Sequence, residues 1–361
     1  MMINLKIIIP LVVILVLAIV IGLLTTETWS PSWNPFRTPS LAIENSLSKT
    51  IEAETFKITG EVGGEFQSGQ EPESKIITAA LVYSGNIDKS EKGKIKSTSD
   101  LNLELGMEGI TLQIKGKMIS WSRDIYLKIT SLPSLPLSGF DLEEIKNQWI
   151  KIDTEKLKEI SGEKEPFAID EETEKKFLED LKNLLIGKEI FKVKKNFGEE
   201  ELEGVKVNHY STEVNKEALK VLIPEILKLT KKYIPAEEQA TYEKDLEKFL
   251  EDFSNNFDQA WGNIEPLEFD FWIGKDNFLR RLKFEKELEY GSLETEDVGK
   301  VKLRVDLKFS DFNEKVEIEI PENFKSIEEF LTTSTDLSEE EYYIPDFDSE
   351  SIPEFEFYPE E

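Results

Sequence analysis

From Val301 to Phe309 the chain alternates without a break. Val301, Leu303, Val305, Leu307 and Phe309 are apolar, and the four residues between them, Lys302, Arg304, Asp306 and Lys308, are charged. A period of two puts all five apolar side chains on one face of a strand and all four charges on the other. The pattern recurs at Leu101, Leu103 and Leu105, at Leu112 and Ile114, and at Ile125, Leu127 and Ile129. It returns at Leu267, Phe269, Phe271 and Ile273, and Leu282, Phe284, Leu288 and Tyr290 share a parity. Weaker strand signals fall at Phe56–Val62, Ile76–Tyr83, Trp149–Ile152, Phe191–Phe197 and Val205–Val214, the last two joined through Gly198–Gly204 as a hairpin. Val316, Ile318 and Ile320 extend the series to a stop at Pro321. About ten strands are expected. Strands with one dry and one wet face belong in an antiparallel sheet.

Helical spacing interrupts the strands rather than alternating with them. Leu41–Glu54 reads as a short helix with Ser40 as N-cap. Glu171–Ile186 carries an apolar stripe and stops at Gly187, a natural C-terminal residue. Lys216–Tyr233 and Ala236–Phe257 are longer, and Pro224 should kink or break the first of them. This order excludes a doubly wound parallel sheet and predicts an α+β fold. Long antiparallel strands curl, so the helices are expected on the concave, apolar face.

The N-terminus has a different character. Fifteen Ile, Leu and Val residues crowd Ile7–Leu24, with only Pro10, Ala18 and Gly22 between them. At about 1.5 Å per residue the run is long enough to span a bilayer, and a transmembrane signal-anchor over residues 1–24 is expected. A cleaved secretory signal is the rival reading, but Thr25–Ser30 offers no Ala-x-Ala site. The positive-inside bias is slight, with Lys6 before the span and Glu27 and Arg37 after it; a short inner tail and an extracytoplasmic body are favoured. A Pro- and Trp-bearing linker follows over 25–40, then a body over 41–325, then an acidic-aromatic tail over 326–361. The chain has no cysteine, so neither disulfides nor a lipidated Cys can hold it. A net charge of −29 argues against nucleic acid or an anionic bilayer surface as partner. Beyond Lys325 there is no Lys or Arg but thirteen acids, and Ile344-Pro-Asp-Phe-Asp348 recurs as Ile352-Pro-Glu-Phe-Glu356. Such a segment cannot bury a core and should be disordered alone. It reads either as a solubilising tail or as a docking segment for a basic protein partner.

Four regions carry a family likeness: Asp124–Pro136 with Asn147–Asp153, Gly198–Lys220, Phe271–Arg281 and Ser310–Glu322. In order and pattern they resemble the LolA/LppX/LprG-like lipid and lipoprotein carriers. The resemblance implies a half-barrel of antiparallel strands closed by helices, with an apolar cavity that holds acyl chains or a lipidated protein. Two features depart from it: the mycobacterial members attach through a lipidated Cys, absent here, and the helical insert and acidic tail lie outside the pattern.

Catalytic and metal chemistry finds no foothold. The one histidine, His209, shares parity with Val205 and Val207 and is expected to point inward as a satisfied, half-buried side chain. One histidine and no cysteine cannot supply an ordinary zinc site, and no nucleophile elbow, dinucleotide fingerprint or phosphate loop is present. Asp311, Asn313 and Glu314 lack calcium-loop spacing and read as a turn. No catalytic residue, metal or cofactor is therefore expected. The expected function is a membrane-anchored binding protein for a lipid or acyl chain held between sheet and helices, with Leu222, Ile226, Phe249, Phe253, Leu303, Val305 and Leu307 as candidate lining residues. The alternative is a non-enzymatic surface scaffold in which the same residues fill a solid core.

Overall fold

The computed structural model describes residues 39–68, 75–91, 94–107, 109–122, 124–133, 146–153, 171–185, 187–234, 236–291 and 298–327. The expected membrane span, the linker up to residue 38 and the acidic tail from residue 328 lie outside the described residues. Among the described helices none is long and apolar enough to cross a membrane.

The chain begins with α1 (Pro39–Glu52) and continues into β1 (Thr55–Ser68), β2 (Lys75–Asp88), β3 (Lys96–Met107), β4 (Ile110–Trp121), β5 (Asp124–Ser131) and β6 (Trp149–Asp153). After α2 (Glu171–Leu185) come β7 (Phe191–Leu202) and β8 (Val205–Val214), then α3 (Lys216–Lys231) and α4 (Ala236–Gly262). The last strands are β9 (Glu268–Gly274), β10 (Leu279–Gly291), β11 (Val298–Ser310) and the two-residue β12 (Lys325–Ser326). All twelve form one sheet in the order β12-β6-β5-β4-β3-β2-β1-β11-β10-β9-β8-β7. It is two antiparallel meanders, β1–β6 and β7–β11, joined along the β1·β11 seam, where Ile58 faces Phe309 and Val62 faces Val305. Only β12 breaks the pattern, pairing parallel with β6. The sheet is open and curved: α1 reaches β7, β9 and β10 at once.

Register defines an inner face. Directly opposed residues share a face, so one row reads Phe284, Val305, Val62, Leu81, Leu103, Ile114 across β10, β11 and β1–β4. The next row toward the hairpin tips reads Lys286, Leu303, Gly64, Ala79, Leu105, Leu112. Close curvature is helped by glycine at two inner positions. A Cβ at Gly60 would run into the Asp306 carbonyl, and one at Gly85 would meet the Thr98 carbonyl at 2.5 Å and the Tyr83 hydroxyl at 2.7 Å.

The helices cover one half of this face. On α4 the residues Leu246, Phe249, Phe253, Phe257 and Trp261 recur every three or four positions and present one apolar stripe. Rings stack along it, with Phe253 and Phe257 centroids 4.8 Å apart. α3 runs antiparallel beside it: Lys220 pairs with Asp258 at one end, Lys231 with Glu243 at the other, and the Tyr242 hydroxyl donates to the Leu227 carbonyl. Pro224 neither breaks nor ends α3, which is continuous from Lys216 to Lys231. The missing donor costs roughly 3 kcal/mol, and burial of Leu222 and Ile223 beside it offsets that at about 1.5–3 kcal/mol each.

Two strand expectations are corrected. β7 does not end at Phe197; it runs through Gly198, whose φ of +87° and adjoining bulge absorb the irregularity, and turns at Glu203–Gly204. Val316, Ile318 and Ile320 form no strand. Both edges of β11 are already paired with β1 and β10, so residues 314–324 have no ladder to join. A turn at Asp311–Asn313, both ends with positive φ, leads the chain away. It is tied to β1 by Asn313 N–H donating to the Thr55 carbonyl and by Thr55 Oγ1 donating to Glu314. It then travels to β6.

Candidate functional site

The inner face is apolar from β6 to β9, but its two halves have different surroundings. In the second meander Phe191, Tyr210, Val214, Phe269, Phe271, Leu282 and Phe284 are buried against α1, α3 and α4. Their rings interlock, Phe269 with Phe284 at 4.7 Å and Phe191 with Phe271 at 5.1 Å. In the first meander the apolar side chains continue on the same face without that cover. Val62, Phe66, Ile77, Leu81, Leu105, Met107 and Ile110 are 37–65% exposed. All seven occupy the half of the strands nearest the β1–β2 and β3–β4 hairpin ends. Leu101, Leu103, Leu112, Ile114, Leu127 and Ile129 behind them are half-buried. The result is an apolar trough that opens toward the hairpin ends and closes against the helix-covered half at the β1·β11 seam.

The candidate lining residues are divided between these regions. Leu222 and Phe253 are buried in the packed interior beneath the helices; Ile226 and Phe249 lie at its half-buried border. Leu303, Val305 and Leu307 stand on the seam strand itself, half-buried, opposite Gly64, Val62 and Gly60. All seven therefore belong to one apolar cluster, with the three β11 residues nearest the trough. Sequence reasoning did not single out the β1–β4 residues that form the trough. Their alternation is as plain as that of β11, but nothing local distinguishes a face that will be covered from one that will not.

Polar groups on the inner face are few. Tyr83 and Ser99 crowd the Gly85 position from either side, and burial pushes the Tyr83 hydroxyl pKa up. Along β10 the residue that interrupts Leu282, Phe284, Leu288 and Tyr290 is Lys286, and it too faces inward, opposite Leu303. Its ammonium donates to the Pro266 carbonyl at 3.2 Å.

His209 is the clearest departure from expectation: it lies on the outer face, opposite Trp272. It is sandwiched between Phe197 at 4.3 Å and Trp272 at 4.2 Å. Glu200 is 2.8 Å from Nδ1 and Asp270 3.3 Å from Nε2. Lys195 caps the column over Phe197, and Arg281 caps it over Trp272 while bonding both oxygens of Asp306. These partners satisfy a structural histidine. Among the described residues no group of three or more His, Cys, Asp or Glu side chains could hold a metal ion. A cavity of about 300 Å³ opens beside the start of α1, lined by Pro39, Ala42, Asn208, Tyr210, Ile273, Lys275 and Asn277. It is separate from the trough.

No family model matches the chain, and no curated protein matches it. Solved structures give matches at the level of the fold. LprF from Mycobacterium bovis is similar with a TM-score of 0.36 and 11% identity, over 78% of this chain and 96% of that one. The Mycobacterium tuberculosis lipoprotein LppX has a TM-score of 0.26 and 11% identity, over 78% and 97%. A DUF1329 family protein from Desulfovibrio piger has a TM-score of 0.17 and 9% identity, over 77% and 93%. At such scores the likeness concerns the fold, and the ligand surface is read from this chain's own side chains.

Proposed function

We propose that this chain is a non-catalytic binding protein for an apolar ligand, and that a lipid acyl chain lies in the trough over β1–β4 with Leu303, Val305 and Leu307 along its inner wall. One observation carries the reading. The inner face continues, apolar but for a few positions, from a helix-covered interior to exposed Val62, Ile77, Leu81, Met107 and Ile110, in a chain with a net charge of −29. Contiguous apolar surface of that kind marks a binding site more often than an accident of folding. Each methylene buried there is worth about 0.8 kcal/mol, so a sixteen-carbon chain gains on the order of 10 kcal/mol before ordering costs. The helix-covered half offers less room, because Leu222, Phe253 and Phe271 already pack against one another. Ile7–Leu24 would tether the carrier to a membrane with its body on the extracytoplasmic side.

The test is to purify the full chain, denature it and identify released lipids by mass spectrometry, then add hexadecanoate and record the melting temperature. A recovered lipid, or a concentration-dependent rise in Tm, supports the reading. Repeated preparations that carry no lipid and do not respond to hexadecanoate overturn it.

A further inference from the structure

Resting on that reading, we propose that the ligand is an anionic amphiphile, and that Lys286 receives its carboxylate or phosphate head group at the mouth of the trough. The argument starts from what the inner face excludes. Among the described side chains of β1–β6, of β11, and of β10 from Leu282 to Leu288, inward positions are apolar, glycine, serine or tyrosine with one exception. That exception is Lys286. On the outer face the neighbouring cations are matched with acids: Lys300 with Glu287, Lys302 with Glu285, Arg281 with Asp306 and Lys308 with Glu203. Lys286 differs. Among the described residues its ammonium donates to one backbone carbonyl, that of Pro266, and makes no ion pair. An ammonium has three donors, so two remain for a ligand.

Its position suits the task. Lys286, Leu303, Gly64 and Ala79 form one row across the seam. Past Leu303 that row carries a hydrogen and a methyl group, so the floor is lowest where a chain leaving the ammonium would enter the trough. From this row to that of Ile58, Gly85 and Ser99 is six residues along a strand, or about 20 Å at roughly 3.3 Å per residue. That matches an extended long acyl chain. Lys286 also stands toward the hairpin ends, where the trough opens, so the charged head stays at the wet end while the tail runs inward. In a chain this acidic, an inward cation without an acid among the described residues favours a negative ligand over a neutral one of equal length.

The experiment presents the full chain in digitonin, which has no alkyl tail to compete for the trough, with equal concentrations of dodecanoate and dodecanol at pH 8, where the acid is ionised. Native mass spectrometry then counts which ligand is bound. A charge-assisted hydrogen bond predicts about a tenfold preference for the acid in the wild type. Lys286→Gln should bring the ratio near one with dodecanol still bound, which also shows that the variant is folded. Lys286→Arg should keep the preference. Acetate, the head group without a tail, should displace neither ligand. A wild-type ratio near one, or an unchanged preference in Lys286→Gln, overturns the assignment while leaving the trough intact. If neither ligand binds the wild type, the trough reading itself fails.

Discussion

Lys89 sits where the end of α1 meets the sheet. Its ammonium donates to the Ile51 carbonyl and lies over the Phe56 ring. Burial lowers its pKa from 10.5 to about 8, with Glu52 opposing the shift. The folded chain therefore releases this proton more readily than the unfolded one, and between pH 8 and 10.5 the unfolded state binds more protons. Stability from this group rises with pH across that window. Urea titrations of the wild type and Lys89→Met at both pH values should show the wild type gaining on the variant; a constant difference would refute it. Gly60 makes a second residue-scale prediction. Its missing Cβ is what lets β1 approach the Asp306 carbonyl, so Gly60→Ala should cost about 1–3 kcal/mol in chemical unfolding. His209 shows where parity misleads. Val205 and Val207 suggested an inward face, yet near the β7 edge the outer face carries its own aromatic layer of Phe197 and Trp272, and an apolar neighbour there says little about direction.

Among the elements, α4 and β3 carry similar apolar stripes with different consequences. Phe253 is buried between helix and sheet, and Phe253→Ala should cost about 3–5 kcal/mol. Leu105 is 38% exposed in the trough, so Leu105→Ala should cost less than about 1 kcal/mol. Equal losses at the two positions would mean that the trough is covered in solution. The helices were legible because a period of 3.6 and a stop such as Gly187, with φ of +71°, are local signals. The strand at Val316–Ile320 was misread because alternation reports a capacity to pair, and pairing also needs a free edge. Pro224 does not break α3 for a related reason: its cost is intrinsic to the helix, while the burial that offsets it comes from α4 and the sheet.

At the scale of the whole molecule, the described residues form one sheet with a half covered by helices and a half that no described helix covers. Amide exchange should be slowest in β8–β10, where the Phe269 and Phe271 cluster packs, and faster at the β3–β4 hairpin end, where few apolar contacts resist opening. Filling the trough offers a cleaner functional probe. Ala79 is exposed on the inner face beside Gly64, so Ala79→Trp should leave the melting temperature of the free chain near that of the wild type while abolishing the rise with hexadecanoate. A full response in that variant would place the ligand elsewhere.

Alternation alone determined that the body is an antiparallel sheet with one dry face, because side-chain direction in a strand depends only on whether a position is odd or even. Composition alone set aside cysteine chemistry and an ordinary zinc site. Which stretch of dry face would be sheltered was decided by the seam between β1 and β11 and by where α3 and α4 come to rest. Those contacts join residues far apart in the chain, and the free energy of covering a surface depends on its neighbours in space. Leu303 on the seam, Leu105 in the open trough and Phe269 beneath the helices alternate alike in the sequence, and only the assembled sheet gives them different surroundings.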